Sequence, residues 1–282
     1  MVENRPVLKF FTHAFLIVGI ALLLFPVWVA LMASTHTGAE INGGASLLTP
    51  GSAMFDNYKA ALFQGKVAGS FPSAGKMMFN SFLMAMVIAV GKIVISLMSA
   101  FSLVYFNFPF RKTAFWVIFL TLMLPVEVRI VPTYEVISNF GMLNSYAGLT
   151  IPLIASATAT FLYRQFFLTI PDEIAEAARV DGAGPWRFFW DIIVPMSRTS
   201  TGALFVILFV YGWNQYLWPL LITPDPEFIT VVMGIGQITR IVAEYPVWHL
   251  VMTITILAAL PPALLVILMR KLFVRGLTES EK

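Results

Sequence analysis

Thr169-Ile170-Pro171-Asp172-Glu173-Ile174-Ala175-Glu176-Ala177-Ala178-Arg179-Val180-Asp181-Gly182-Ala183-Gly184-Pro185 lies between two long apolar runs, and its reading decides what those runs are. Proline and two acids behind a threonine form a helix start. The proline presets φ for the first turn, and the acids complement the positive end of the helix dipole. The helix should run to about Val180. Gly182 and Gly184-Pro185 break it, because glycine permits φ > 0 and proline restricts the residue before it. A second amphipathic helix, Trp186–Ile193, should follow, and Pro195 should end the segment. Residues 169–200 thus predict a polar helix-turn-helix between stretches long enough to cross a bilayer.

Outward from that loop the chain is mostly apolar. Of its 282 residues 59% are hydrophobic and 12% charged, against about 25% charged in a soluble domain. That much apolar side chain finds its solvent in lipid rather than in one soluble core. Six segments approach the ~20 helical residues that a ~30 Å hydrocarbon core demands: 10–33, 79–106, 114–133, 146–168, 201–222 and 248–269. Pro125, Glu127, Arg129 and Pro132 interrupt the third, and prolines within spans are tolerated where neighbouring helices satisfy the freed carbonyls. The first run exceeds a signal-peptide core of about 7–15 residues and reads as an uncleaved span. The expectation is an all-α integral membrane protein with one transmembrane domain over residues 1–282.

With the N-terminus in the cytoplasm, Arg5, Lys9, Arg111, Lys112, Arg164, Arg179, Arg187, Arg198, Arg270, Lys271, Arg275 and Lys282 fall inside. Lys59, Lys66, Lys76, Arg129 and Arg240 fall outside. The positive-inside rule then places both termini and the 169–200 loop in the cytoplasm. Ser34–Met78 becomes a long outer loop rich in glycine, serine and alanine. The net charge of +3 does not point to nucleic acid, since no basic stripe interleaved with aromatics is present. The absence of cysteine excludes disulfides, thiolate metal sites and a cysteine nucleophile.

Glu176-Ala177-Ala178, three residues, Gly182, nine residues and then Ile192-Ile193-Val194-Pro195 resembles the EAA loop of ABC importer permeases, with Val194 in place of the family's leucine. The resemblance implies the MetI-like, maltose-type permease fold, and a coupling helix seated in a groove of a separate ATPase. It gives Glu173, Glu176, Ala177, Ala178, Asp181, Gly182, Ala183, Ile192 and Pro195 to that contact. The two alanines allow close approach, Gly182 allows the turn, and Glu176 and Asp181 supply charge. Phe188, Phe189 and Ile192 can hold the second helix against the membrane part. An amphipathic helix lying on lipid is the other reading of such a segment, although it has no need of the glycine at this spacing. Asn80-Ser81-Phe82, Trp213-Asn214-Gln215-Tyr216-Leu217-Trp218-Pro219, and Arg270, Phe273, Gly276 and Leu277 are similar to patterns of the carbohydrate-uptake branch. Residues 121–130, 145–161 and 211–221, with the ending Ser280-Glu281-Lys282, resemble the permeases of sn-glycerol-3-phosphate ABC uptake systems.

Five polar residues are candidates for a substrate path. Lys92 sits in the middle of the second span, where a lysine costs ~2.5–3.5 kcal/mol on insertion scales. It is either a counter-charge for an anionic substrate or part of a structural ion pair, for example with Glu127. Glu127 and Arg129 are two apart on a helix and do not face each other. The Arg129 fork matches phosphate oxygens, while a salt bridge to a partner chain is the other reading. Asn214 and Gln215 either line a path or hydrogen-bond between helices. His13 and His249 read as interfacial, and His36 carries no signal.

An ATP-independent secondary transporter would place acidic residues at the midplane and would leave the coupling loop without purpose. A membrane enzyme would need a His, Asp or Ser constellation at a wet depth, and no Walker motif is present. The resemblance implies a permease subunit of an ATP-driven importer in the bacterial cytoplasmic membrane, importing sn-glycerol-3-phosphate, with glycerophosphodiesters as further candidates, or else a neutral sugar or oligosaccharide, by alternating access. It further implies a sister permease, two ATPase subunits that carry ATP and Mg, and a periplasmic substrate-binding protein. No catalytic residue, metal or bound cofactor is expected on this chain.

Overall fold

A computed structural model of the chain describes residues 6–44, 46–64, 71–241 and 247–278, with the backbone alone at residues 6, 122, 126, 127, 241 and 271–278. The helices are α1 (Pro6–Ala33), α2 (Gly38–Asn42), α3 (Met54–Phe63), α4 (Ala74–Tyr105), α5 (Arg111–Leu120) and α6 (Val126–Asn139). There follow α7 (Tyr146–Thr150), α8 (Ala157–Phe167), α9 (Asp172–Val180), α10 (Pro185–Phe188) and α11 (Val194–Met196). The last four are α12 (Arg198–Trp213), α13 (Leu217–Ile222), α14 (Val231–Ile241) and α15 (Trp248–Thr278). Arg5, Lys66 and Ser280-Glu281-Lys282 lie outside the described residues, as do the side chains of Glu127, Lys271, Phe273, Arg275 and Leu277.

Among the described residues three helices are long and apolar enough to cross a membrane: Val7–Ala33, Ala74–Tyr105 and Trp248–Arg270. Two further candidates are bent pairs, Tyr146–Leu153 with Ala157–Phe167 at 44° and Pro185–Met196 with Arg198–Trp213 at 72°. Proline accounts for most of the departures from straight spans. The expected third span is broken: α5 gives way to a 3-10 turn at Thr121–Met123, and Pro125 forces Leu124 to an extended ψ of 114°. The fourth breaks after the 3-10 turn Ile151–Leu153 that contains Pro152. Ser156 then caps α8 by accepting from the Ala159 N–H at 3.2 Å. The fifth begins earlier than expected, at Arg198, and stops at Trp213. Pro219 falls in the first turn of α13, where its missing N–H is tolerated, so residues 214–216 leave helical geometry.

The chain divides into two compact units, Met1–Lys76 with Gly234–Leu260, and Met77–Met233 with Pro261–Lys282. In the first, α1 leaves nearly all of its apolar side chains exposed, Phe15 at 79% and Leu23 at 78%. The segment 34–78, which by sequence reads as an outer loop, is partly helical among its described residues, and His36 is buried within it. Asn57 Nδ2 donates to the carbonyls of Ser34 and His36 at 2.9 and 2.7 Å, and the Gly51 N–H donates to the Thr35 hydroxyl at 2.6 Å. Thr37 and Glu40 form a capping box on α2. These hydrogen bonds satisfy backbone groups that a buried turn would otherwise leave unpaired.

In the second unit a core of Met84, Ile88, Ile137, Leu149, Trp218 and Ile222 joins α4, α6, α7 and α13. Gly212 brings α12 onto α4: a Cβ there would stand 2.8 Å from the Cα of Ala85. Asn80 and Ser81 fasten α4 to the chain before α14. Asn80 Nδ2 donates to the carbonyls of Glu227 and Ile229, both at 2.9 Å, and the Tyr146 hydroxyl donates to Asn80 Oδ1 at 2.8 Å. The Val231 N–H donates to the Ser81 hydroxyl at 2.8 Å.

Candidate functional site

The helix α9 ends as its sequence dictates. Gly182 adopts φ 74°, its N–H donates to the Arg179 carbonyl at 3.0 Å, and the Ala183 N–H donates to the Ala178 carbonyl at 2.9 Å. This pair of bonds is a Schellman closure. Nothing lies within 4 Å of a Cβ placed on Gly182, so the glycine is there for its backbone angle alone. The start differs from expectation. Pro171 is the N-cap and makes no side-chain cap, and the Thr169 hydroxyl donates back to the Phe166 carbonyl at 2.7 Å, closing α8 instead.

Helical spacing puts Glu173, Glu176, Ala177 and Val180 on one face, and all four are exposed, Val180 at 88%. Ala178 is buried at 5% and Ala183 half-buried, while Asp181 and Gly182 are exposed at the turn. Ala178 and Ala183 line a cavity of about 200 Å³ with Phe101, Tyr105 and Phe188. So α9 presents one small, acid-flanked face outward and turns the other to the end of α4. Val180 was not singled out by sequence; its place three residues after Ala177 on the outward face is the signal that identifies it.

The second helix of the loop is not a plain α-helix. After α10 the chain winds as a π-helix over Phe189–Ile193 and continues through Pro195 to Met196. Pro195 therefore does not end the segment. It lacks the N–H that would bond the carbonyl four residues back, and the wider π turn precedes it. The 72° bend falls at Ser197, whose hydroxyl donates to the Ile193 carbonyl at 2.6 Å. Such back-bonding bends helices. Phe188 and Phe189 are buried, and the fully buried isoleucine is Ile193 rather than Ile192, which is half-buried, as is Pro195. Phe189 stands 4.9 Å from Phe101 and Phe188 stands 5.1 Å from Tyr105, ring centre to ring centre. An aromatic clamp thus fixes the loop to the last turns of α4, with Phe167 of α8 beside it at 6.2 Å from Tyr105.

The substrate-path candidates also lie in the second unit. Lys92 is 7% exposed, and its Nζ sits 3.8 Å from the centre of the Tyr211 ring, a cation–π contact. Arg129, Thr133, Tyr211, Gln215 and Trp218 line one cavity of about 90 Å³. Gln215 Nε2 donates to the Tyr211 carbonyl at 3.2 Å. Lys92, Arg129 and Gln215 are therefore brought together, through Tyr211. Asn214 is not: it is exposed at the end of α12, where its N–H donates to the Val210 carbonyl at 3.1 Å. The Glu127 side chain lies outside the described residues. Tyr211 was missed by sequence, although it stands one helical turn before Gln215. Among the described residues no three histidine or carboxylate side chains gather as a metal site.

The family model for binding-protein-dependent transport system inner membrane components matches residues 92–279. Three full-length relatives carry the name sn-glycerol-3-phosphate transport system permease protein UgpE. They come from Brucella melitensis at 52% identity, Agrobacterium fabrum at 51% and Yersinia enterocolitica at 53%, each over 282 residues and 100% of both chains. A crystal structure of a bacterial ABC transporter involved in the import of the acidic polysaccharide alginate contains a chain of the same fold. The TM-score is 0.77 at 18% identity, over 96% of this chain and 98% of that one.

Proposed function

The chain belongs to the family of binding-protein-dependent transport system inner membrane components, and from that premise we propose that it is the permease through which an ATP-driven importer carries sn-glycerol-3-phosphate into a bacterial cell. The observation that carries the substrate is the identity of 51–53% along the entire chain to permeases named for it. The observation that supports the drive is the exposed face of α9, closed by Gly182 and carried on a loop that Phe188 and Phe189 clamp to α4.

A sister permease, two ATPase subunits and a periplasmic binding protein complete the transporter in this reading. The chain crosses the membrane six times with both termini in the cytoplasm, the broken helices α5–α6 and α7–α8 counting as the third and fourth spans. The binding protein delivers substrate to the outer mouth. ATP, bound with Mg on the partner subunits, closes the ATPase pair, and Glu173, Glu176, Ala177 and Val180 travel with it. Because α9 is short, capped and clamped, it moves as a rigid body and passes its displacement to α4 and α12. This chain contributes no catalytic residue; it converts closure into an outward-open path and its reversal into release.

Uptake of labelled sn-glycerol-3-phosphate by the complete transporter in vesicles tests the substrate. Unlabelled sn-glycerol-3-phosphate should compete and maltose should not. Competition by maltose, with none by the phosphate ester, would transfer the chain to neutral-sugar uptake.

A further inference from the structure

We propose that this subunit itself holds a phosphate-recognition site within the membrane, in which Arg129 and Gln215 bind the phosphoryl oxygens and Lys92, parked on Tyr211, supplies a second positive charge. The inference rests on the reading of the chain as a phosphate-ester permease and adds where the phosphate is recognised.

Lys92 is almost wholly buried, and a buried charge is retained only where something compensates it. Among the described residues no carboxylate pairs with it; its described partner is the face of the Tyr211 ring at 3.8 Å. A second cation, Arg129, borders the cavity that the same Tyr211 lines. Two cations beside one cavity repel, the more so because the buried Lys92 is poorly screened, and a visiting anion relieves that repulsion.

The cavity beside them suits that anion. Its volume of about 90 Å³ is several times the roughly 10–15 Å³ that one water needs, which is room for a phosphoryl group. Its wall carries the donors a phosphate takes. The guanidinium of Arg129 offers a fork that grips two oxygens. Gln215 spends one amide N–H on the Tyr211 carbonyl and keeps a second. Arg129 and Thr133 also border an adjoining cavity of about 580 Å³, so the site has an approach. With no phosphate present the Tyr211 ring holds the ammonium. Lys92 acts as a positioning charge rather than as a direct ligand, and a dianionic monoester should draw on it more strongly than a monoanionic diester.

The complete transporter in vesicles provides the test, with uptake of sn-glycerol-3-phosphate compared with that of a glycerophosphodiester. Arg129→Gln should raise KM for sn-glycerol-3-phosphate about tenfold, the loss expected of one charge-assisted hydrogen bond. Lys92→Met should reduce the preference for monoester over diester, and Lys92→Arg should restore it. Unchanged KM and unchanged preference in both Arg129→Gln and Lys92→Met would overturn the site while leaving the proposed function in place. An equal fall in the rate for every substrate at unchanged KM would overturn it as well, marking the residues as structural. If Lys92→Met does not assemble, Arg129→Gln decides alone, since Arg129 is exposed. A wild-type transporter that takes up no sn-glycerol-3-phosphate would instead remove the proposed function.

Discussion

At the scale of single residues, Gly182 and Glu40 show backbone geometry acting through one atom group each. Gly182 holds φ 74° in open space, so Gly182→Ala meets only the left-handed penalty of about 1–2 kcal/mol. The Ala183 amide, bonded to Ala178, should exchange its hydrogen at least fivefold faster in that variant; an unchanged rate would mean that the turn does not need glycine. Glu40 accepts from the Thr37 N–H at 2.7 Å, and this bond, then that with the Thr37 hydroxyl, holds its carboxyl below the ordinary value. A lowered folded pKa means that the capping box contributes fully above the ordinary carboxylate pKa and fades as pH falls through Glu40's own value. Amide protection in α2 should therefore decline on acidification, and Glu40→Gln should remove the pH dependence. Both features rest on hydrogen bonds between residues three to five apart, which is why Gly182 was legible in the sequence. Tyr211 was not, because its role depends on Lys92 reaching it from another helix.

At the scale of elements, the loop owes its stiffness to aromatic packing. Phe189 is 3% exposed and rests on Phe101, so Phe189→Ala should cost about 3–5 kcal/mol locally. It should also uncouple the transporter, with more ATP hydrolysed per substrate imported. A wild-type ratio would show that the clamp does not transmit motion. Gly212 touches the α4 backbone, and Gly212→Ala should cost about 1–3 kcal/mol through forced separation of α4 and α12, read as a lower Tm of the purified complex. The apolar runs announced most of these elements, and the EAA spacing announced the two helices of the loop. The π turn at Phe189–Ile193 and the break at 214–216 were not announced, whereas the interruption at Pro125 was. Pro125, Pro195 and Pro219 each mark where helix geometry is challenged, but whether the chain answers with a break, a π turn or a fresh first turn depends on which neighbours take up the freed carbonyls.

At the scale of the whole molecule, α1 exposes nearly every apolar side chain along Val7–Ala33, as a helix facing lipid or another subunit must. The outward face of α9 likewise leaves the apolar Val180 exposed at 88%. Purification of this chain from membranes should bring down an ATPase and a second permease, and Glu176→Lys should weaken retention of the ATPase more than that of the permease; equal retention of both would detach the loop from ATPase docking. The most direct test of an ATP-driven phosphate-ester permease is accumulation of labelled sn-glycerol-3-phosphate in vesicles carrying the complete transporter, with binding protein on one side and ATP with Mg on the other. Accumulation above the external concentration, abolished when ATP is omitted, is the predicted result. Equal uptake with and without ATP, or none of this substrate under either condition, would contradict it.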